Sequence, residues 1–280
     1  MLSHLPPLRD VIAKHGLSAR KGLGQNFILD LNLTRKIARA SGDLTGVNVI
    51  EIGPGPGGLT RAILESNATS VTVIELDPRA IAVMQELSSC LTPNSSRLTI
   101  IEGDALEFNY DMVGAPRAII ANLPYHVASQ LLIGWLRQAN NFKSITIMLQ
   151  KEMAQRLVGR PRTPAYGRLS VMCQWLCNVK LLFDVPPSAF VPPPKVVSSI
   201  VQLIPKSQKP EIEFEEMEKT VALAFSQRRK MLKGILNAAG HNGEILMQKI
   251  GVHITARAEE LTIDQFVQLA KYLLSNKNDI

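Results

Sequence analysis

Val47-Asn48-Val49-Ile50-Glu51-Ile52-Gly53-Pro54-Gly55-Pro56-Gly57-Gly58 joins an apolar, β-branched run to a segment in which four of six residues are glycine. The run reads as a buried strand and the glycines as a tight loop, with a helix expected from Pro56 to Ser66. Gly53, Gly55 and Gly58 satisfy the spacing G-x-G-x-x-G, and Glu75 lies 22 residues after Gly53 at the end of the next expected strand. A carboxylate there can accept both hydroxyls of an adenosine ribose. So far a dinucleotide and S-adenosyl-L-methionine are both admissible cofactors. Glu51 tilts the choice, because a carboxylate before the loop repels a pyrophosphate but can help position a zwitterionic amino acid.

Outward from this stretch, strand and helix alternate. Strands are expected at 70–74, 98–101, 117–121 and 144–149, with helices at 78–89, 126–139 and 151–158. Pro78 suits the first turn of its helix. Alternation of this kind predicts an α/β fold, a doubly wound, Rossmann-like and mostly parallel sheet. Two later strands, at about 177–185 and 198–204, have no clear helix between them and predict a terminal antiparallel hairpin. Upstream, a helix is expected over 31–40, preceded by a leader (1–20) with one short helix.

Pro205-Lys206-Ser207-Gln208-Lys209-Pro210 reads as a linker. Beyond it, apolar residues recur with helical spacing at 215–225, 228–239, 243–250 and 263–274. The expected domains are therefore 1–205, which binds the cofactor, and an all-helical 206–280.

Asn122-Leu123-Pro124-Tyr125 ends the fourth strand. Proline stiffens the loop, and open α/β sheets bind ligands at such carboxyl ends. An amide, an exposed carbonyl beside a proline and an aromatic face suit a flat base with an exocyclic amine. Gly103-Asp104 ends the third strand, where Asp104 can accept from an adenine amine or simply cap a turn.

The 280 residues carry a formal net charge of +7, concentrated in places. Residues 9–39 hold seven basic and two acidic residues, and 151–168 hold five and one. Localised positive charge fits a polyanionic partner. The three cysteines show no metal spacing with histidine, so no metal is expected and the compartment is expected to be reducing. With neither a signal sequence nor a bilayer-length apolar run, a cytoplasmic chain without a membrane partner is expected.

At this point the residues spell a family. Gly24-Gln25-Asn26-Phe27, Glu51-Ile52-Gly53-Pro54-Gly55, Glu75-Leu76-Asp77, Gly103-Asp104-Ala105 and Asn122-Leu123-Pro124-Tyr125 resemble blocks of the small-subunit ribosomal RNA adenine dimethyltransferases. So do Tyr166-Gly167-Arg168-Leu169-Ser170, Phe190-Val191-Pro192-Pro193-Pro194-Lys195-Val196 and Phe225-Ser226-Gln227-Arg228-Arg229-Lys230. Eight blocks run in order from about residue 20 to 235. Ile28, where leucine is usual, and His126, where asparagine is expected, depart from the pattern.

The resemblance implies an S-adenosyl-L-methionine-dependent enzyme that dimethylates N6 of two adjacent adenosines in the 3′-terminal hairpin of 16S rRNA, coupled to small-subunit biogenesis. It implies that Asn26 and Ile28 meet the cofactor's methionine end above Gly53, that Glu75 holds the ribose and Asp104 the adenine amine, and that Asn122 sits between cofactor and target. Asn122, with the Leu123 carbonyl, would orient the amine, and Tyr125 and Phe190 would wall the target base. The partner would be small-subunit rRNA within a 30S-type particle, and the protein a monomer. Candidate phosphate contacts are Arg20 and Lys21, then Arg156, Arg160, Arg162 and Arg168, then Arg228, Arg229 and Lys230; for the last three a solvated helix face is the alternative.

Two rivals share these features: a large-subunit rRNA adenine methyltransferase, and a non-catalytic RNA-binding assembly factor. Phe190 with its proline-rich loop and the Gln227-Arg228-Arg229 helix favour the small-subunit reading, and an intact Asn122 and Glu75 favour catalysis. A nicotinamide oxidoreductase lacks residues for hydride transfer.

Overall fold

The computed structural model describes residues 5–18, 25–91, 94–125, 127–208, 210–227 and 229–275. Arg20, Lys21, His126 and Arg228 lie outside the described residues. The chain divides into two compact units, one of residues 1–154 and 180–205, the other of 155–179 and 206–280.

The first unit opens with helix α1 (Leu8–Lys14), a two-residue strand β1 (Phe27–Ile28) and α2 (Leu31–Ala40), which the Asp30 carboxylate caps by accepting from the Asn32 N–H. Then come β2 (Asn48–Ile52), α3 (Gly58–Leu64), β3 (Ser70–Glu75), α4 (Pro78–Ser89), β4 (Leu98–Glu102), β5 (Arg117–Asn122), α5 (Ala128–Arg137) and β6 (Phe142–Gln150). α3 starts two residues later than its sequence suggests because Gly55 and Gly57 take φ of +52° and +85°, left-handed values that cannot begin an α-helix. α6 (Lys151–Leu157), α7 (Arg168–Leu176) and β7 (Cys177–Val185) follow, then β8 (Phe190–Val191) and β9 (Ser198–Pro205). The boundaries between the units fall within α6 and β7.

The main sheet has the order β4-β3-β2-β5-β6-β9-β7. β2 to β6 pair in parallel, and β9 runs antiparallel to β6, with Gln150 opposite Ser198. Strands therefore depart in both directions from the β2–β5 pair. That switch point leaves a crevice at the carboxyl ends of both strands. The run of Val and Ile in β2, β3 and β5 is explained by burial on both faces: Val49, Ile50, Val71, Val73, Ile119 and Ile120 are fully inaccessible. β1 and β8 form a separate antiparallel pair, Phe27 opposite Val191 and Ile28 opposite Phe190, which local periodicity does not signal.

The second unit contains α7 and the helices α8 (Phe214–Ala224), α9 (Leu232–Ala238), α10 (Gly243–Lys249) and α11 (Ile263–Ser275). Its extent corrects the expected boundary, since 155–179 belongs with the helical unit and not with the sheet. Aromatic packing is the reason. Tyr166 is buried against Phe225, which stacks on Phe266, and Trp175 packs near Phe214. The Tyr166 hydroxyl donates to the Leu261 carbonyl at 2.8 Å, and the Arg162 N–H donates to Glu259 O at 2.8 Å. Cys173 and Cys177 are buried free thiols, both pushed upward by burial. Among the described residues no helix is long and apolar enough to cross a membrane.

Candidate active site

A cleft of about 410 Å³ opens at the carboxyl ends of β2, β3, β4 and β5. Its floor is the loop after β2, where Gly53, Gly55 and Gly57 all have positive φ. A Cβ on Gly55 would lie 3.1 Å from the Phe27 ring, so glycine lets the amino-terminal segment close over the loop.

Glu75, the last residue of β3, turns back into the cleft. Its Oε1 accepts from the backbone N–H groups of Leu76 (2.8 Å) and Asp77 (2.9 Å), and Oε2 faces the Gly55 N–H at 3.5 Å. Burial raises its pKa, those N–H groups oppose the rise, and the neighbouring Asp77 charge adds to it. Asp77 itself caps α4, and its hydrogen bonds to Arg79 hold it at about 2.

Glu51 is 1% exposed, with its Oε2 lacking a hydrogen-bond partner among the described residues. Burial pushes its pKa up to about 8, with the Thr60 hydroxyl pulling the other way and the Glu75 charge adding to the rise. A buried carboxyl with one oxygen unpartnered, beside a glycine loop, can accept from a donor on a bound ligand. The ammonium of a sulfonium amino acid fits it, whereas a pyrophosphate does not. At neutral pH burial keeps Glu51 largely protonated, so charge repulsion by this residue is a weaker argument against a diphosphate than its sequence position suggests.

Asp104 caps the turn after β4 through Oδ1, which accepts from the Leu106 N–H at 2.8 Å, and it also lines the cleft. Both readings of that residue therefore apply. Leu76 and Leu106, 61% and 44% exposed, offer apolar surface beside it. These two were missed in sequence; their signal was a large apolar residue one or two positions after the acids Glu75 and Asp104.

At the other end, Asn122 closes β5, and its Nδ2 donates to the Asn26 carbonyl at 3.3 Å. That bond uses one of the two amide N–H donors and leaves Oδ1 as an acceptor. The partners are 96 residues apart, and nothing local in the sequence foretells them. The Leu123 side chain is buried, so only its main chain can serve a ligand. The Tyr125 hydroxyl shares a 2.7 Å hydrogen bond with Ser198 Oγ.

Asn26, Ile28, Gly53, Glu75, Asp104, Asn122, Leu123 and Tyr125 all border this one cleft. Phe190 does not, which corrects its expected place as a second wall. Strand alternation turns it inward at 2% exposure, into the core, while its neighbour Val191 is 50% exposed. The described basic candidates Arg156, Arg160, Arg162, Arg168, Arg229 and Lys230 are all exposed and all belong to the second unit. Among the described residues no three His, Cys, Asp or Glu side chains are placed to hold a metal ion.

The family model described as Ribosomal RNA adenine dimethylase matches residues 16–275. A ribosomal RNA small subunit methyltransferase A of Rhodospirillum rubrum is 53% identical over 269 residues, 95% of this chain and 92% of that protein. One from Paramagnetospirillum magneticum is 50% identical over 274 residues, 97% and 96% of the two chains. Among solved structures, a dimethyladenosine transferase from Plasmodium falciparum superposes with a TM-score of 0.74 at 29% identity, covering 90% of this chain and 98% of that one. The 23S rRNA methyltransferase ErmE gives 0.67 at 27% identity, with coverage of 89% and 99%.

Proposed function

The chain belongs to the ribosomal RNA adenine dimethylases, and from that premise we propose how its cleft performs the reaction. The enzyme dimethylates adenine in small-subunit ribosomal RNA and uses S-adenosyl-L-methionine. Its targets are N6 of two adjacent adenosines in the 3′-terminal hairpin, presented in a 30S-type particle in the cytoplasm. The relatives that share half of the sequence carry the small-subunit assignment; the large-subunit enzyme shares far less.

Asn26, Ile28 and Gly53 would hold the methionine end of the cofactor, with Glu51 beside its ammonium. Glu75 would take the ribose and Asp104 the adenine amine. When bound, the cofactor supplies a methyl group on a sulfonium, which is a good leaving group. The remaining task falls to the protein. An adenine exocyclic nitrogen is a weak nucleophile because its lone pair is conjugated into the ring. Accepting its hydrogens at Asn122 Oδ1 and at the Leu123 carbonyl favours a pyramidal nitrogen and localises the lone pair. The proton then lost from the alkylated nitrogen is acidic enough for water to take it. Positioning therefore carries most of the rate enhancement.

A target adenosine must leave its stack to reach the cleft, and Tyr125 recovers part of that cost by stacking, at about 1–3 kcal/mol. The rRNA phosphates find partners among the exposed arginines of the second unit.

The observation that carries this mechanism is the Asn122 amide, held through its Nδ2 by the Asn26 carbonyl. Asn122→Ala is expected to lower methyl transfer to unmethylated small subunits on the order of a hundredfold or more, while filter binding to the same particles stays near the parent's. Near-parental methylation by the variant would reduce Asn122 to a strand-end cap.

A further inference from the structure

Tyr125 sits in an irregular loop after β5, where a ring with two soft torsions has little reason to keep one pose. Its hydroxyl, however, meets Ser198 Oγ at 2.7 Å. Ser198 is fully buried and begins β9, opposite Gln150 at the end of β6. The start of β9 is fixed from several directions. The Lys151 N–H donates to the Val197 carbonyl at 2.9 Å, and Ser199 Oγ, also on a buried residue, donates to Asp184 Oδ1 at 2.6 Å. Asp184 Oδ2 in turn accepts from Lys151 Nζ at 2.6 Å. The Ser198 hydroxyl is thus a point on the rigid sheet, and Tyr125 is tied to it by the end of the ring that does not stack.

We propose that Ser198 is a positioning residue for the methyl transfer: it tethers the Tyr125 hydroxyl so that the ring keeps the pose that receives the target adenine. The inference rests on the reading of Tyr125 as the wall for that base. Ser198 touches no substrate and performs no proton transfer, since among the described residues its hydroxyl meets only the phenol. Its effect belongs to the order of the ring once the base arrives. The loss on removing the tether therefore falls on turnover and not on capture of the particle, which depends on phosphate contacts made elsewhere.

The test is a double-mutant cycle with Ser198→Ala, Tyr125→Phe and the double variant, measured by methyl transfer to unmethylated small subunits. Each single variant is expected to lower kcat about tenfold, the scale of one lost hydrogen bond, with KM for the particle unchanged. The double variant should also lose about tenfold, not a hundredfold, because both substitutions remove the same bond. Cofactor affinity by calorimetry should match the parent in all three, a result that global loosening of the sheet would not give. Losses that multiply, or parental turnover in Tyr125→Phe, overturn the tether. If Ser198→Ala does not fold, Ser198→Cys takes its place in the cycle, keeping the volume while exchanging the hydroxyl for a weak acceptor. Tyr125→Ala separates the two levels of the argument. Parental activity there defeats the base-wall reading itself, whereas a severe loss there with parental Tyr125→Phe and Ser198→Ala defeats only the tether.

Discussion

The two ends of the cleft are built on opposite plans. The end proposed to take the nucleotide and amino acid is made from short stretches, each at the carboxyl end of its own strand: the glycine loop after β2, Glu75 closing β3 and Asp104 two residues beyond β4. Glu75 is even oriented by its immediate successors, Leu76 and Asp77. The end proposed to take the target base is assembled across the chain. Asn122 depends on Asn26, Tyr125 on Ser198, and the amino-terminal segment bearing Asn26 is held by pairing with residues 190–191. The first end can be formed by local geometry on a parallel sheet. The second exists only when distant segments have all docked, so it should be the more easily disturbed of the two.

The largest effect expected at the nucleotide end comes from Glu51. The folded protein holds its carboxyl at about 8 against an ordinary value of 4.5, so folding binds a proton that the unfolded chain releases. Stability from this residue is complete below about pH 4.5, falls as the pH rises towards 8, and levels off above that. Glu51→Gln removes the loss. Relative to the parent, the cofactor-free variant should gain stability through that window, reaching on the order of 4–5 kcal/mol at pH 8–9. Thermal unfolding across pH 4–9 reads it directly. An offset between variant and parent that does not change with pH would mean that Glu51 is charged in the folded state.

Next in size is Glu75→Ala, which tests whether the nucleotide end works through a single charged acceptor. Loss of the ribose partner should weaken S-adenosyl-L-methionine binding by about 1.5–3 kcal/mol, measured by titration calorimetry. The base end should be untouched, so the little methyl transfer that survives should recover at saturating cofactor. Unchanged affinity would move the ribose away from Glu75. An uncorrectable loss of turnover would show that the two ends are less separate than their construction suggests.

The same contrast governs what could be read in the sequence. β2, the glycine loop and the strand-end acids were legible because a periodic pattern and a fixed spacing encode them within some fifty residues. The helix Leu31–Ala40 fell where it was expected, with Asp30 as its cap. Less was legible wherever the decisive contact was distant. A two-residue strand such as β1 or β8 has no period to detect, and so the inward turn of Phe190 was hidden. α7 escaped notice because it is buried on most of its faces, leaving no polar stripe to mark a helical period. The grouping of 155–179 with the helical unit is written in Tyr166 and Trp175, whose ring partners lie tens of residues later.

The smallest expected effect probes a place where the two ends touch. Gly55 belongs to the nucleotide loop, yet the atoms facing its Cα are those of Phe27, in the segment that supports Asn122. Gly55→Ala places a Cβ at a φ of +52° and about 3.1 Å from that ring. The backbone term alone is about 1 kcal/mol, and the crowding can be relieved only if Phe27 shifts by a few tenths of an ångström. Phe27 is paired with Val191, so that shift should loosen the β1–β8 ladder. Amide exchange at residues 27–28 and 190–191 is therefore expected to quicken by several-fold, with only a modest loss of cofactor affinity. If exchange at the ladder is unchanged while cofactor binding falls, the loop absorbs the methyl group itself. The two ends would then be mechanically independent, and the amino-terminal segment would owe its place to its own pairing and not to the glycine beneath it.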